Sequence, residues 1–267
     1  MNRIKYILYG AGLLLVLQSC ALFSAAGLSS QGQPVKKVVL PLRSTTEGSA
    51  VNIDHSEWDA LLRKHVASDG LVNYQGFIAD RASLQRYLDM LSAQRPTEAW
   101  SVQELLAFYI NLYNAYTVDL ILDNYPVASI KDINGPWTRA IVPVGKNNLS
   151  LGGIENGILR KMDEPRIHFA INCASISCPN LLNEAYTAGK INEQLNKAAS
   201  SFINGNKNQI AGSQLKLSSI FNWYRKDYVV NGQTDLIAYI NQFSDQPIAA
   251  DATIEFLEYD WNLNESN

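Results

Sequence analysis

The sequence contains few of the residues that reactive sites most often use. Its 267 residues include three cysteines and three histidines. A structural zinc site needs four nitrogen or sulfur ligands. Two of the cysteines lie near His168, and this set is one ligand short unless Asp260 contributes. We therefore expect neither a metal site nor a cofactor.

Several sequence motifs are absent as well. The chain has no P-loop, no G-x-G-x-x-G and no G-x-S-x-G, which disfavours nucleotide, dinucleotide and serine-hydrolase chemistry. No D-x-D-x-D-G loop marks a calcium site. The formal net charge is −3 at pH 7, and this argues against binding to nucleic acid or to an anionic membrane surface.

The N-terminus has the pattern of a secretory signal peptide. MNRIKY carries Arg3 and Lys5, and the apolar run ILYGAGLLLVL follows. A basic segment, a short apolar segment and small residues near a cleavage point are typical of export signals. The apolar run is too short for a comfortable transmembrane helix. We predict a signal peptide over residues 1–19.

The residues LQSC, which end at Cys20, resemble a bacterial lipobox. This resemblance predicts cleavage before Cys20 and lipidation of its thiol, which would attach the protein to a bilayer without basic patches. The alternative is a plain signal peptide followed by an accidental cysteine. Ala21 stands where inner-membrane lipoproteins commonly have Asp, so sorting to the outer membrane, facing the periplasm, is favoured.

The composition changes near residue 50. AAGLSSQGQP and RSTTEGSA are rich in Ser, Gly, Thr and Gln, a composition typical of flexible spacers. We predict a lipidated tether over residues 20–50. Residues 51–267 then form one domain, which is long enough to bury a sizeable core.

The most apolar segment of that domain is residues 101–123, SVQELLAFYINLYNAYTVDLILD. Apolar residues occupy more than one face of the helix that this pattern predicts, so the helix should be surrounded by protein. Asn111 and Asn114 lie on one of the buried stripes. Buried amides need hydrogen-bond partners, and the partners of these two should matter for stability.

The remaining segments predict several amphipathic helices and a few short strands. Helical periodicity marks residues 56–67, 81–92 and 187–204, and a short helix is predicted at IENGILRKM. LVNYQGF is predicted to be extended, and AIVPVGKNNLSL a hairpin. RIHFAIN, QLKLS and TIEFLEYDWNL are predicted strands. The fold class is therefore α+β: a single helix-rich domain with a buried central helix and a small, mostly antiparallel sheet.

The segment RIHFAINCASISCPNL, residues 166–181, holds most of the chemistry. If RIHFAIN is a strand, Arg166, His168 and Asn172 share its polar side, and Ser175 follows in the next loop. Polar residues collected at a strand end are often binding residues. A lone histidine is, however, often bonded only within the fold.

Cys173 and Cys178 admit two interpretations. In an oxidising compartment they favour a disulfide, since lipidation of Cys20 would leave no odd thiol. Alternatively one of them is a nucleophile with His168 as its base. The third member of such a site would be Asn111, Asp132 or Asp260. Papain-like and transglutaminase-like enzymes place the histidine after the cysteine, which is not the order here.

Several blocks of the sequence together resemble the DUF547 family, a domain of unknown function. The blocks are FYINLYNAYTVDLILDNYPVASIKDI, LSLGGIENGILR, RIHFAINCASISCPNLLNEAYT, SSIFNWYRKDY and YDWNLN. The resemblance as a whole extends from about residue 54 to the C-terminus. The resemblance implies no reaction, since the activity of the family is not generally established. The family usually has a histidine within the helix of the second block, where this chain has Asn156.

Two hypotheses of function remain. The first is a cell-envelope lipoprotein that binds a small ligand or an envelope protein near His168, Cys173 and Cys178. The second is a thiol-dependent hydrolase or acyltransferase with a Cys–His pair. The candidate binding residues around this site are Arg166, Asn172, Ser175, Asn111 and Asp260.

Overall fold

The computed structural model describes residues 29–266. The predicted signal peptide and Cys20 lie outside the described residues. At the centre of the fold is one long helix, α4 (Val102–Asn124), which begins where the Ser101 side chain accepts a hydrogen bond from the Glu104 N–H group at 3.1 Å. The described part of the chain holds one helix long and apolar enough to cross a membrane, namely α4, and 94% of its apolar window is buried in protein. The predicted central helix is thus confirmed.

Three helices that precede α4 in the chain pack together beside it. They are α1 (Ser56–His65), α2 (Tyr74–Ala79) and α3 (Arg81–Ser92). Helix α2 was predicted to be extended, and that prediction was wrong. Asn73 caps the helix by accepting a hydrogen bond from the Gly76 N–H group at 2.7 Å, and the short segment buries Tyr74 and Phe77 one turn apart.

The strands form three small sheets rather than one. β1 (Val142–Val144) and β2 (Asn147–Leu149) form the predicted hairpin, and β5 (Val229–Val230) pairs with β6 (Gln233–Thr234) in a second. In the third sheet β4 (Gln214–Ser218) pairs with β3 (Gln209–Ala211) antiparallel and with β7 (Thr253–Leu257) parallel. Helices with small separate sheets confirm the α+β class.

Three further helices complete the domain: α5 (Ile191–Ile203), α6 (Ile220–Trp223) and α7 (Leu236–Ile240). The buried apolar side chains form two clusters. The larger surrounds α4, and the smaller joins the end of α5 to the third sheet and to α7. Ile167 belongs to the first cluster and Phe169 to the second, so the chain around His168 lies between the two clusters.

That chain segment is a 3₁₀ helix, Pro165–Phe169, and not the predicted strand. Proline fits the first turn of a helix, where its missing N–H group costs nothing. The Glu164 carboxylate caps the turn by accepting a hydrogen bond from the Arg166 N–H group at 3.2 Å. Alternation of apolar and polar residues was misleading here, because both faces of this turn are buried.

Before it, a π-helical turn (Gly153–Ile158) and a 3₁₀ turn (Leu159–Met162) occupy the predicted short helix. Residues 29–50, which the sequence analysis assigns to the tether, lie against the domain. The Val38 N–H group donates to Met162 O at 2.7 Å, and Leu42 is buried. Val39 and Leu40 between them are exposed.

Candidate functional site

The loop that carries both cysteines is closed by an amide. The Asn172 side chain donates through Nδ2 to Pro179 O at 2.7 Å and accepts through Oδ1 from the Ala174 N–H group at 2.9 Å. Ala174 has a φ of +55°, which is unusual for a residue with a Cβ atom. The single side chain of Asn172 therefore holds the two ends of the loop together.

The C-terminal segment holds the same loop from outside. Ser177 N–H donates to Asp260 O at 3.2 Å, and Asp260 N–H donates back to Ser177 Oγ at 2.9 Å. The Asp260 carboxylate is exposed and accepts from the Asn262 N–H group. Asp260 therefore contacts the loop through its backbone, and among the described residues it pairs with neither Arg160 nor Arg166.

Cys173 and Cys178 are free thiols in the structure, so the disulfide interpretation is not met. The hydroxyl oxygens of Ser175 and Tyr259 each lie 3.2 Å from Cys173 Sγ and 3.1 Å from each other. A hydrogen bond with Cys178 lowers the pKa of the Cys173 thiol; burial opposes this shift, and the Ser175 and Tyr259 hydroxyls lower the pKa further. The surroundings of Cys173 thus favour its thiolate.

Cys178 is different. Its side chain is buried, and burial raises the pKa of the Cys178 thiol well above its usual value. Cys178 Sγ accepts a hydrogen bond from the Cys173 N–H group at 2.8 Å. On the far side of the loop, the Lys207 ammonium donates to Cys178 O and, at 2.8 Å, to Asn180 Oδ1. Cys178 is therefore a supporting thiol, and Cys173 is the reactive candidate.

Cys173 is half-buried and opens into a pocket of about 350 Å³. The buried helix α4 contributes Tyr113 to the wall. The rest comes from the π-helical turn, the cysteine loop, α6 and the C-terminal segment, together with Trp137, His168 and Tyr224. Most of the lining is aromatic or apolar, as is usual for small-molecule sites. Its aromatic residues besides His168 are Tyr113, Trp137, Trp223, Tyr224, Tyr259 and Trp261.

His168 lines this pocket and is held in a fixed orientation. Its Nε2 atom lies 2.8 Å from Asp227 Oδ2, and its ring stacks on Tyr224 with centroids 3.9 Å apart. Arg160 binds the same Asp227 carboxylate through Nε and Nη2, at 2.7 and 2.9 Å. A carboxylate at Nε2 fixes the proton there, which leaves Nδ1 with a lone pair. Nδ1 is buried and has no hydrogen-bond partner among residues 29–266.

The orientation of His168 depends on the negative charge of the Asp227 carboxylate. Burial alone would raise the pKa of Asp227, but hydrogen bonds from His168 and Arg160 lower it well below its usual value. The carboxylate is therefore ionised at neutral pH and can stabilise a positive charge on His168. His168 and Cys173 line the same pocket, although no hydrogen bond joins their side chains among the described residues.

Glu155 lines the pocket beside them. The carboxylate accepts a hydrogen bond from the Tyr224 hydroxyl, and the residue is 6% exposed. The neighbouring Asn156, which stands where the family usually has histidine, donates to Gly152 O and accepts from Arg160 at 2.8 Å. Asn156 thus steadies the guanidinium that binds Asp227.

The other predicted binding residues serve the fold. Asn111 exchanges two hydrogen bonds with the backbone of Tyr186, at 2.7 and 3.0 Å. Arg166 is buried and binds both oxygens of Glu164, at 2.7 and 2.6 Å. Its remaining nitrogen donates to two asparagine side chains at the edge of a second cavity, of about 920 Å³. Asp132, the other candidate third member, lies in a separate 3₁₀ turn and does not line the pocket.

Three site residues were missed or misjudged from the sequence. Asp227, Glu155 and Tyr259 were not among the candidate site residues. Asp227 is 59 positions from His168 in the sequence, and no local pattern connects them. For Glu155 the sequence offered one signal: this acidic residue lies within the apolar IE-x-GILR segment, which is predicted to be a helix. A carboxylate buried in such a helix is costly and therefore points to a function.

No group of three or more His, Cys, Asp and Glu side chains within residues 29–266 is arranged to hold a metal ion. The fold and the site thus define an α+β domain with a thiol-bearing aromatic pocket. The family model described as "Protein of unknown function, DUF547" matches residues 97–203 and supports the resemblance drawn from the sequence. The matched span contains α4, the cysteine loop and α5, and it ends before Tyr224, Asp227 and Tyr259. No curated protein and no solved structure matches the chain significantly.

Proposed function

We propose that the protein is a thiol-dependent acyl-transfer enzyme or hydrolase, with Cys173 as its nucleophile and His168 as its general acid and base. One observation carries the proposal: the half-buried Cys173 thiol opens into an aromatic pocket, and three neighbouring groups favour its ionised form. Nucleophilic cysteines need a lowered pKa and access to a substrate, and Cys173 has both.

The reaction has two steps. Cys173 Sγ attacks the carbonyl carbon of an ester, thioester or amide while its proton passes to Nδ1 of His168. The bond to the leaving group then breaks, the leaving group takes that proton, and a thioester remains on Cys173. A water molecule, or another acceptor, then attacks the thioester carbon and gives its proton to His168. The bond between the acyl carbon and Cys173 Sγ breaks, the acyl group leaves as the free acid or on the acceptor, and His168 returns the proton to the Cys173 thiolate. Because His168 and Cys173 are not in direct contact, the substrate or one water molecule lies between them.

Asp227 and Arg160 act on this chemistry through His168. The carboxylate holds the imidazole by Nε2 and stabilises the imidazolium that forms in each step, as a buried carboxylate does in other hydrolytic triads. Arg160 holds the carboxylate in place by two hydrogen bonds, at 2.7 and 2.9 Å. Both are therefore positioning residues.

Trapping the acyl-enzyme tests this proposal. The full chain, with Cys20→Ala so that two thiols remain, is incubated with p-nitrophenyl acetate and followed by release of p-nitrophenol and by peptide mass spectrometry. We expect acetylation of Cys173, loss of the reaction in Cys173→Ala, and its retention in Cys178→Ser. Equal rates in the parent protein and in Cys173→Ala would overturn the catalytic proposal and leave a small-molecule binding protein.

We propose in addition that the chain is exported, cleaved before Cys20 and anchored by lipid to the outer membrane, facing the periplasm. The supporting features are the basic and apolar N-terminal segments and LQSC. The test is fractionation of bacterial cells that express the full chain, with mass spectrometry of its N-terminus. We expect a lipid-modified Cys20 in the membrane fraction, and release of the protein when Cys20→Ala is introduced. An unmodified, uncleaved N-terminus would contradict this proposal.

A further inference from the structure

The wall of the thiol pocket contains an unusual share of the tryptophans. Trp137, Trp223 and Trp261 are three of the five in the chain. Trp223 and Trp261 stack with centroids 5.9 Å apart, Trp137 meets Trp261 edge-on at 5.8 Å, and Tyr259 lies 4.5 Å from Trp261. Trp223 is 47% exposed although indole is a large apolar surface. An indole left open at the mouth of a pocket is a surface for a ligand.

The charge of the lining has one sign. Apart from His168, the charged side chain in the lining is Glu155. Its hydrogen-bond partner is the neutral Tyr224 hydroxyl, and no ion pair with Glu155 is formed within residues 29–266. A carboxylate that is 6% exposed and has no cation in direct contact is costly, although the charge of Arg160 attracts it at longer range. A ligand that brings a positive charge would offset that cost.

The cations of the protein around the pocket are already engaged. Arg160 lies over the Tyr224 ring but binds Asp227, and Lys207 donates to Cys178 O behind the cysteine loop. The Lys131 ammonium lies 5.2 Å from the centroid of the Trp261 ring. This last contact has the geometry of a cation–π interaction, in which an ammonium group lies over the negative face of an aromatic ring.

We propose that the pocket recognises a substrate that carries an ammonium group, held between the indole rings and the Glu155 carboxylate. The inference rests on the proposed function for its catalytic meaning, because the cation would place the acyl carbon beside Cys173. The cation recognition itself is a binding property that can be measured when the thiol is absent.

The binding test compares choline with its neutral carbon isostere, 3,3-dimethylbutan-1-ol. Both are titrated into the full chain carrying Cys20→Ala and Cys173→Ser, with tryptophan fluorescence as the signal and sodium chloride matching the chloride of choline. We expect choline to bind about tenfold tighter, the usual size of a cation–π contact reinforced by a carboxylate. Equal affinity for the two compounds, or no binding of either, overturns the inference.

Two variants locate the effect. Glu155→Gln keeps the shape of the side chain but removes its charge, and we expect it to reduce the preference for choline about tenfold. Glu258→Gln removes an exposed carboxylate from the same C-terminal segment, and it should leave the preference unchanged. If both variants behave alike, the attraction is a general surface-charge effect and the pocket is not a cation site.

Catalysis provides the second measurement. The acetic esters of the same two alcohols are compared as substrates of the Cys20→Ala protein, and kcat/KM should favour the choline ester through KM, with the advantage lost in Glu155→Gln. If Cys173 is acetylated by p-nitrophenyl acetate but the two esters react equally, the proposed function stands and the cation inference fails. If choline binds but Cys173 is never acylated, the cation inference stands and the proposed function fails.

Discussion

Two groups of buried polar side chains lie around the central helix, and they differ in how completely they are bonded. Asn111 and Asn114 on α4 each make two hydrogen bonds to backbone groups, at 2.7–3.0 Å. Around the pocket, His168 Nδ1 has no partner among the described residues, and Cys173 is half-buried beside hydroxyl groups that stabilise its thiolate.

This difference separates structural from reactive polar groups. An amide whose nitrogen and oxygen are both bonded to buried backbone groups is held by the fold, and its removal leaves those groups unpaired, so the loss lowers the stability of the domain. A base or thiol with unused bonding capacity, placed at a pocket, is available for chemistry. Activity and stability should therefore respond to different substitutions.

The largest effect is expected from Cys173→Ala. If Cys173 is the nucleophile, its loss should lower turnover of acyl substrates at least about 1,000-fold, while the urea midpoint of unfolding changes little because the thiol is half-buried. Turnover and urea denaturation of the same preparation check this. Cys178→Ser is the matched control, and comparable losses in both variants would mean that the loop, rather than Cys173, matters.

Next in size are the substitutions that act through the imidazole. His168→Gln removes the acid and base and should lower kcat about 100-fold, a usual contribution for general acid–base catalysis. Asp227→Asn should lower kcat similarly because it no longer fixes the imidazole, and it should alter the pH profile of kcat/KM. A pH profile unchanged by Asp227→Asn would show that Asp227 only supports the fold.

The reverse behaviour is expected at Asn111. Asn111→Ala leaves the Tyr186 backbone groups unpaired and should destabilise the domain by about 1–3 kcal/mol. Because Asn111 does not line the pocket, acylation of Cys173 in the folded fraction should be unaffected. Urea denaturation and the acylation rate are measured together; an unchanged urea midpoint would show that these bonds contribute little.

The smallest effect is expected from Tyr259→Phe, which removes one hydroxyl 3.2 Å from Cys173 Sγ. The pKa of Cys173 should rise, because a hydrogen bond to the thiolate is lost. At neutral pH the thiolate fraction then falls, and alkylation by iodoacetamide should slow several-fold. A faster reaction in Tyr259→Phe would mean that the hydroxyl mainly shields the thiol.

Periodic patterns in the sequence predicted the frame of this fold well. The segment around α4 is long and apolar on several faces, so its burial follows from its own residues. The predicted strand QLKLS was also found, and of the predicted strand TIEFLEYDWNL the part Thr253–Leu257 forms a strand. Helix α2 and the turn at Pro165 were missed because both segments are too short to show helical periodicity. Their conformation is set by the capping hydrogen bonds of Asn73 and Glu164.

The candidate residues of the site came from the sequence, but their hydrogen-bond partners did not. His168, Cys173 and Cys178 were candidates because histidine and cysteine are rare in this chain; all three line the pocket, and the sequence did not distinguish Cys173 from Cys178. Asp227 was missed because its contact with His168 spans 59 positions and depends on how the two core clusters meet. A disulfide was one of two interpretations of the cysteine pair; in the structure both thiols are free, and the Asn172 amide closes the loop.

The account depends most on the ionisation of one thiol. Its direct measurement is the rate of alkylation of Cys173 by iodoacetamide as a function of pH, followed by peptide mass spectrometry in the Cys20→Ala protein, both folded and unfolded in urea. A lowered pKa means that the thiolate is already formed at a lower pH. Alkylation of Cys173 should therefore reach its plateau rate at a lower pH in the folded protein than in the unfolded chain, and Cys178 of the folded protein should stay unreacted. Coincident pH profiles for Cys173 in the two states, or a disulfide that blocks Cys173 before reduction, would contradict the account.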